Sequence, residues 1–313
     1  MKCLIFGGAG FIGSTIADRL LRDRHELRIF ERPRILPYRK FTDSEQVEWV
    51  TGDLSNAHEV GDAVHGMDVV LHLVSSTLPN SSNEDPIYDV QSNLVATLHM
   101  LNTMVVHKVR KIVFISSGGT VYGNSAYLPI DEKHPTNPLV SYGVVKLTIE
   151  KYLQIYSHLY GIQAISLRVS NPYGERQRIE TAQGAVRVFL NRALKGLPIE
   201  IWGDGSVIRD YIHVSDVAEA FVKALGYQGV HNCFNISSGT GISLNELITI
   251  LVNVLEKKID VIHKSARPFD VPVNILSNDL AKKELNWIPK VQIHEGILLT
   301  SEWVRSELIK QQS

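Results

Sequence analysis

Short runs of apolar, β-branched residues alternate with stretches of helical period through the first half of the chain, and this alternation constrains the fold more than any other feature. The runs are Cys3–Phe6, Leu27–Phe30, Val47–Val50, Val69–Val74, Ile112–Ile115 and Ala164–Val169. Between them, Phe11–Arg22, Ala57–Val64, Pro86–His107 and Ser141–Tyr160 repeat apolar residues at three- and four-residue spacing. Strands that are apolar throughout need cover on both faces, and parallel neighbours need a long crossover between them. The predicted fold is therefore α/β, a doubly wound parallel sheet with helices on both sides.

After Asn171-Pro172-Tyr173-Gly174 the regularity breaks into shorter elements, with turn signals at Gly203-Asp204-Gly205 and Ser237-Ser238-Gly239. A smaller, discontinuous C-terminal domain for substrate is expected there. Residues 1–172 and 205–236 are assigned to the sheet domain, and residues 173–204 and 237–313 to the smaller one, with a cleft between them.

Directly after the first run comes Gly7-Gly8-Ala9-Gly10-Phe11-Ile12-Gly13, which opens the first helical stretch. Glycines at 8, 10 and 13 fit the Rossmann dinucleotide fingerprint. A tight turn, close approach of the pyrophosphate and helix-on-strand packing each exclude a side chain. A flexible turn is the plain alternative, but position argues against it, since the cluster leaves a strand and starts a helix. Cofactor contacts are expected at Gly7, Gly10, Phe11, Ile12 and Gly13, with phosphates at the helix N-terminus. Glu31 ends the second run, where a carboxylate can accept hydrogen bonds from the adenosine ribose and so favours NAD. Arg32 and Arg34 follow it and offer a 2′-phosphate a partner, so NADP stays open, as does a merely solvated Glu31.

Tyr142 and Lys146 lie four residues apart in a helical stretch and share one face. An ammonium and a cationic nicotinamide nearby favour phenolate, which suits Tyr142 as an acid-base group at neutral pH. Such a pair arises by chance in many chains. Here it follows the glycine cluster and Ser116-Ser117-Gly118-Gly119-Thr120-Val121-Tyr122-Gly123 in order, which marks it as catalytic.

Lys plus Arg total 32 against 33 for Asp plus Glu, so no overall field draws nucleic acid or an anionic membrane. Cys3 and Cys233 sit in apolar runs and read as reduced core thiols, a single disulfide being the alternative. None of the 12 histidines has metal-ligand spacing, so no metal is expected. No apolar run suits a signal peptide or a membrane span, which makes a cytoplasmic enzyme the expectation.

With these motifs in place, the chain resembles the extended short-chain dehydrogenase/reductases, and among them the UDP-glucose 4-epimerase group, over essentially its full length. The resemblance rests on the glycine cluster, Gly52-Asp53-Leu54, His72-Leu73-Val74-Ser75, Asn93, the Tyr142/Lys146 pair, the stretch from Leu167 to Gly174 and Arg209-Asp210-Tyr211-Ile212-His213-Val214. It implies NAD contacts at Arg32, Asp53, Leu54, Leu73, Val74, Ser75, Asn93, Ser116 and Val169. It further implies a UDP-sugar substrate, with Asn171, Arg209 and Arg267 on the diphosphate, Trp202 or its neighbours near uracil and Asp270 toward the ribose. Val186, Gly118, Ser76 and Thr77 complete the substrate set, although the 75–83 stretch reads equally as a solvated loop. An ordinary surface ion pair is the alternative for Arg267 and Asp270.

Related dehydratases resemble Thr-Asp-Glu-Val-Tyr-Gly after the fifth run, where this chain has Gly118-Gly119-Thr120-Val121-Tyr122-Gly123. The extra carboxyl groups of dehydration are missing, so the implied reaction is C4 epimerisation through a transient 4-keto sugar. The hydroxyl that usually assists the tyrosine falls on Gly118, leaving Ser117, Thr120 or a water to relay the proton. The resemblance also implies a homodimer through the outer faces of the two helices around 86–107 and 141–160. A reductase or dehydrogenase that releases its product, and a non-catalytic nucleotide-binding protein, are the rival readings.

Overall fold

The computed structural model describes residues 1–35, 37–177, 184–265 and 271–310. The six apolar runs become β1 (Lys2–Phe6), β2 (Glu26–Glu31), β3 (Val47–Thr51), β4 (Val69–His72), β5 (Lys111–Ser117) and β6 (Gln163–Val169). With β10 (Cys233–Ile236) they form one sheet in the order β10-β6-β5-β4-β1-β2-β3, every neighbouring pair parallel. The winding direction reverses between β1 and β4, which opens a crevice at the carboxyl ends of those strands.

Three crossover helices have the bounds read from the sequence: α1 (Phe11–Arg22), α2 (Ala57–Val64) and α5 (Ser141–Tyr160). The stretch from Pro86 is divided into α3 (Pro86–Asp89), a π-helical segment (Val90–Val95) and α4 (Ala96–Val106). Periodicity at 3.6 residues cannot reveal this. The widened turn depends on buried polar contacts of Asp89 and Asn93.

Strand β1 shows how the core forms. Cys3 and Ile5 face Ile16 and Leu20 of α1 and Phe221 of α7 (Val214–Gly226), whereas Leu4 and Phe6 face Met100, Met104, Ile149 and Leu153. Each such side chain, fully removed from water, contributes about 1.5–3 kcal/mol. Both cysteines are free thiols, and burial pushes Cys3 up to about 12 and Cys233 higher still.

The remaining elements make a smaller layer. Its sheet contains β7 (Asn171–Tyr173), β9 (Ile208–His213), β11 (Gly241–Ser243) and β13 (Val273–Asn274), with β8 (Ile199–Trp202) paired to β12 (Val261–Lys264). Helices α6 (Ala185–Leu194), α8 (Leu244–Leu255) and α10 (Ile293–Lys310) close a core around Tyr173, Leu190, Ile199, Leu251 and Ile297. A Ser243/Glu246 capping box starts α8. Segment 205–236 serves both layers: β9 belongs to the small sheet, while α7 packs on α1 and β10 extends the large one. A short α9 (Asp279–Leu285) packs beside β10.

Candidate active site

The glycine loop leaves β1 at the crevice. Gly7 has φ +86°, in the region that favours glycine, and its N–H donates to the Phe30 carbonyl at 3.1 Å. A Cβ on Gly13 would lie 2.2 Å from the Gly7 carbonyl oxygen and 2.8 Å from Gly8 Cα, so the first turn of α1 is pressed onto the loop. Gly10 differs. Its nearest neighbour would be the Gly7 oxygen at 3.4 Å, so the protein leaves that flank open toward the cavity that Gly10 lines. Phe11 and Ile12 begin α1, whose first turn has neither a side-chain cap nor an acidic residue. Its amide groups therefore suit an anion.

The cavity measures about 420 Å³. Glu31, Arg32, Asp53 and Leu54 line one end, Gly7 and Gly10 the middle, and Leu73, Val74, Ser75 and Ser76 the other end. Arg34 does not line it. The Asp53 carboxylate accepts from the Ser55 hydroxyl at 2.6 Å and the Ser55 amide at 2.8 Å, which hold it below the usual carboxylate range. Sequence reading missed Ile35, Tyr88, Gln91 and Ser92, which also line the cavity. The last three form a polar face on an otherwise apolar helix, a signal that was available. Acids at one end, an open glycine flank and uncapped amides in the middle fit an extended dinucleotide diphosphate.

Beyond Ser75 lies the first turn of α5. The amides of Ser141 and Tyr142 donate to Asn83 Oδ1 at 2.8 Å and Ser82 Oγ at 3.1 Å, so the loop after β4 caps this helix. Lys146 is 3% exposed, and its Nζ donates to the Ile115 carbonyl at 3.0 Å, 5.5 Å from the centre of the Tyr142 ring. Burial lowers Lys146 to about 7. Burial also pushes the Tyr142 phenol up to about 12, against a hydrogen bond from Ser75 that favours phenolate. The expected lowering of the phenol is thus absent in the chain itself, because one dry environment disfavours both charges and the Asp89 carboxylate adds to the rise.

Several residues expected to contact ligands have hydrogen-bond partners within the chain. The Ser116 hydroxyl bonds Glu150, which pairs with Arg168 at 2.7 Å; this network is buried and none of its residues lines the cavity. Glu150 was missed, although it continues the Tyr142, Lys146 spacing by one more turn. Asn93 accepts from the Ser76 amide at 2.8 Å and donates to Asp89 at 2.9 Å, which holds the loop after β4 in place. The Thr77 hydroxyl likewise donates to Asp89 at 2.6 Å. The side chains of Val169 and Val186 are core, packed where strand and helix need apolar volume.

A Cβ on Gly118 would fall 2.3 Å from Leu276 Cδ1 and 3.1 Å from the Arg168 carbonyl oxygen, so Leu276 would have to shift to admit one. Ser117 ends β5 partly exposed, and Thr120 Oγ1 is buried with no hydrogen-bond partner. In the smaller layer, Asn171 Nδ2 donates to the Asp210 carbonyl at 3.0 Å, and Arg209 Nη1 donates to the Val271 carbonyl at 2.6 Å. Trp202 stands 42% exposed at the end of β8. Arg267 and Asp270 lie outside the described residues.

The model of the NAD-dependent epimerase/dehydratase family matches residues 3–237, the span that carries the glycine loop and the Tyr142/Lys146 pair. This chain belongs to that family. Its cofactor is NAD, and within the family it is of the extended short-chain dehydrogenase/reductase, UDP-glucose 4-epimerase-like kind. It is 35% identical to the UDP-glucose 4-epimerase of Mycolicibacterium smegmatis over 311 residues, covering 98% of this chain and 99% of that one. Similarity to the dTDP-4-dehydro-6-deoxyglucose reductase of Escherichia coli is also 35%, over 309 residues and 94% of each chain. The crystal structure of the Thermotoga maritima UDP-glucose 4-epimerase with UDP-glucose superposes with a TM-score of 0.93 at 30% identity, covering 98% of this chain and 100% of that one. Among the described residues no helix is long and apolar enough to cross a membrane, and no three His, Cys, Asp or Glu side chains gather as metal ligands.

Proposed function

We propose that the protein epimerises a UDP-sugar at C4 through a transient 4-keto sugar. The observation that carries this reading is the half-buried Tyr142 ring 5.5 Å from the buried Lys146 ammonium, on a helix whose first turn is capped by the loop that continues from the cavity-lining Ser75 and Ser76. NAD, when bound, would supply the hydride acceptor and donor. Tyr142 takes the C4 hydroxyl proton as the sugar is oxidised and gives a proton back when it is reduced. Lys146 holds the floor of the site through the Ile115 carbonyl, and its charge favours phenolate once the phenol is committed.

The nucleotide is held by the smaller layer. In this reading Arg209 on β9 and Asn171 on β7 meet the diphosphate, and Trp202, 42% exposed at the end of β8, lies near the base. Arg267 and Asp270 complete this set in our reading. Firm anchoring of the diphosphate leaves the hexose free to turn and present either face. The substrate is drawn from UDP-glucose/galactose, their N-acetyl forms and UDP-glucuronate, and similarity to a UDP-glucose 4-epimerase over 98% of the chain favours the first pair.

Incubating the purified protein with a panel of these UDP-sugars tests the reading. The 4-epimer should form with no added cofactor and no net change in nicotinamide absorbance. Equal similarity to a deoxysugar reductase supports one second reading. Stoichiometric consumption of reduced nicotinamide with a 4-keto nucleotide sugar, and no epimer, would establish it instead. We also infer a homodimer, supported by the exposed Ile87 on α3 and the exposed Val144, Ile155 and Leu159 on α5; sedimentation showing monomer alone would reject it.

A further inference from the structure

The end of the cavity formed by Glu31, Arg32 and Ile35 is held from two directions. Upstream, β2 fixes it: Glu31 pairs with Thr51 in the sheet, and its carbonyl accepts from the Gly52 amide at 2.9 Å. Downstream, the Ile35 amide donates back to the Arg32 carbonyl at 3.3 Å, and the segment 37–45 then meets α1 and α10. Arg39 Nε lies 2.5 Å from Asp18 Oδ1 on α1, and the same guanidinium pairs with Glu45. Glu45 belongs to the segment and stiffens it, whereas Asp18 fastens it to the body of the protein. Tyr38 sets its ring edge-on to Trp303 of α10, with 6.5 Å between centres.

Asp18 also holds a third segment. Its other oxygen accepts from Arg176 Nη2 at 2.7 Å, three residues beyond the end of β7. Asp18, Arg39 and Arg176 are between 20% and 25% exposed, so both ion pairs are largely shielded from water. Arg187 of α6 lies over the Trp303 ring at 5.0 Å, which steadies the ring that Tyr38 meets. Helix α1 thus opens on the glycine loop and, two turns later, joins the segment after β2 to the smaller layer. We propose that Asp18 is a positioning residue for NAD: by clasping Arg39 and Arg176 together it latches segment 37–45 to the smaller layer and so sets how long the cofactor stays bound.

With the clasp closed, Glu31, Arg32 and Ile35 stay in place at their end of the cavity. With it open, that wall is anchored only through β2, and a loop fixed at one end opens more often than a loop fixed at both. NAD release then follows the frequency of opening. Salt should raise that frequency, because it screens the two ion pairs on Asp18. Retention of this kind holds for any reaction at the far end of the cavity and does not depend on C4 epimerisation.

Exchange of bound NAD for excess isotope-labelled NAD, followed on the purified holo-protein, tests this. Asp18→Asn should speed exchange about 10-fold, and Trp303→Leu about 3-fold. Raising salt from about 0.1 to 1 M should speed exchange in the unaltered protein and have little effect on Asp18→Asn. Adding Arg176→Gln to Asp18→Asn should bring no further acceleration, since both changes break one clasp. Ile199→Val, a change in the core of the smaller layer outside the clasp, should leave the rate as it was. An unaltered rate in Asp18→Asn would overturn the proposal, as would an undiminished salt effect in that variant. Equal acceleration in Ile199→Val, or additive acceleration in the double variant, would also overturn it, because release would then follow general stability.

Discussion

The two ends of the cavity are built from different materials. At β1 the site is backbone: a left-handed Gly7, a Gly13 whose missing Cβ lets α1 press on the loop, and free amides at a helix start. At β5 and α5 the site is side chain: Tyr142 and Lys146, flanked by the Glu150–Arg168 pair on one side and the buried Asp89 carboxylate, which accepts from Ser141, on the other. Backbone sites are encoded locally, since a glycine pattern between a strand and a helix leaves few conformations. Side-chain sites depend on which distant residues arrive as partners.

The largest effect expected at the side-chain end is from Tyr142→Phe, which should cost at least about 10³-fold in kcat while leaving NAD bound, as read by turnover and by the cofactor released on denaturation. A mutant that also loses NAD would mean that the two ends are one energetic unit. At the backbone end, Gly13→Ala forces a Cβ to 2.2 Å from a carbonyl oxygen. We expect a loss of about 1–3 kcal/mol or more in stability together with failure to retain NAD. Normal NAD content in that variant would break the claim that backbone packing builds this end.

Gly118→Ala sharpens the contrast, because the clashing atom is the tip of a leucine and not backbone. It should cost about 1–3 kcal/mol, measured by denaturant unfolding, with part of the cost relieved when Leu276→Ala is added. Equal costs in both backgrounds would show that the nearby carbonyl of Arg168, at 3.1 Å, sets the limit.

The smallest effect concerns Lys146. Its folded value is lowered from 10.5 to about 7, so between those values the unfolded chain binds more protons and stability rises with pH. Below pH 7 the folded protein carries the full cost of a buried ammonium. Lys146→Met should raise Tm by a few degrees at neutral or lower pH, and this advantage should shrink as pH climbs toward 10. A lower Tm across the range would show that the bond to the Ile115 carbonyl outweighs desolvation.

Much of the fold was legible because burial demands a pattern. All six apolar runs are strands, and α1, α2 and α5 begin and end where helical period does. The polar interior was not legible. Asn93, Ser116 and Thr77 have the composition of ligand-binding residues, but each turns toward a buried partner whose arrival no spacing announces. The π-helical turn at Val90–Val95 was hidden for the same reason, as it accompanies a side-chain network and not an apolar stripe.

By itself the sequence determined a doubly wound sheet, a dinucleotide loop after β1 and a Tyr142/Lys146 pair on one helical face, because each depends on residues near one another in the chain. Only the tertiary structure decided which buried partners Asp89 and Lys146 meet, how tightly Leu276 crowds position 118, and in which direction burial moves both charges. Those outcomes depend on Leu276, Asp89 and Ile115 reaching the site from separate elements, and local periodicity holds no information about such arrivals.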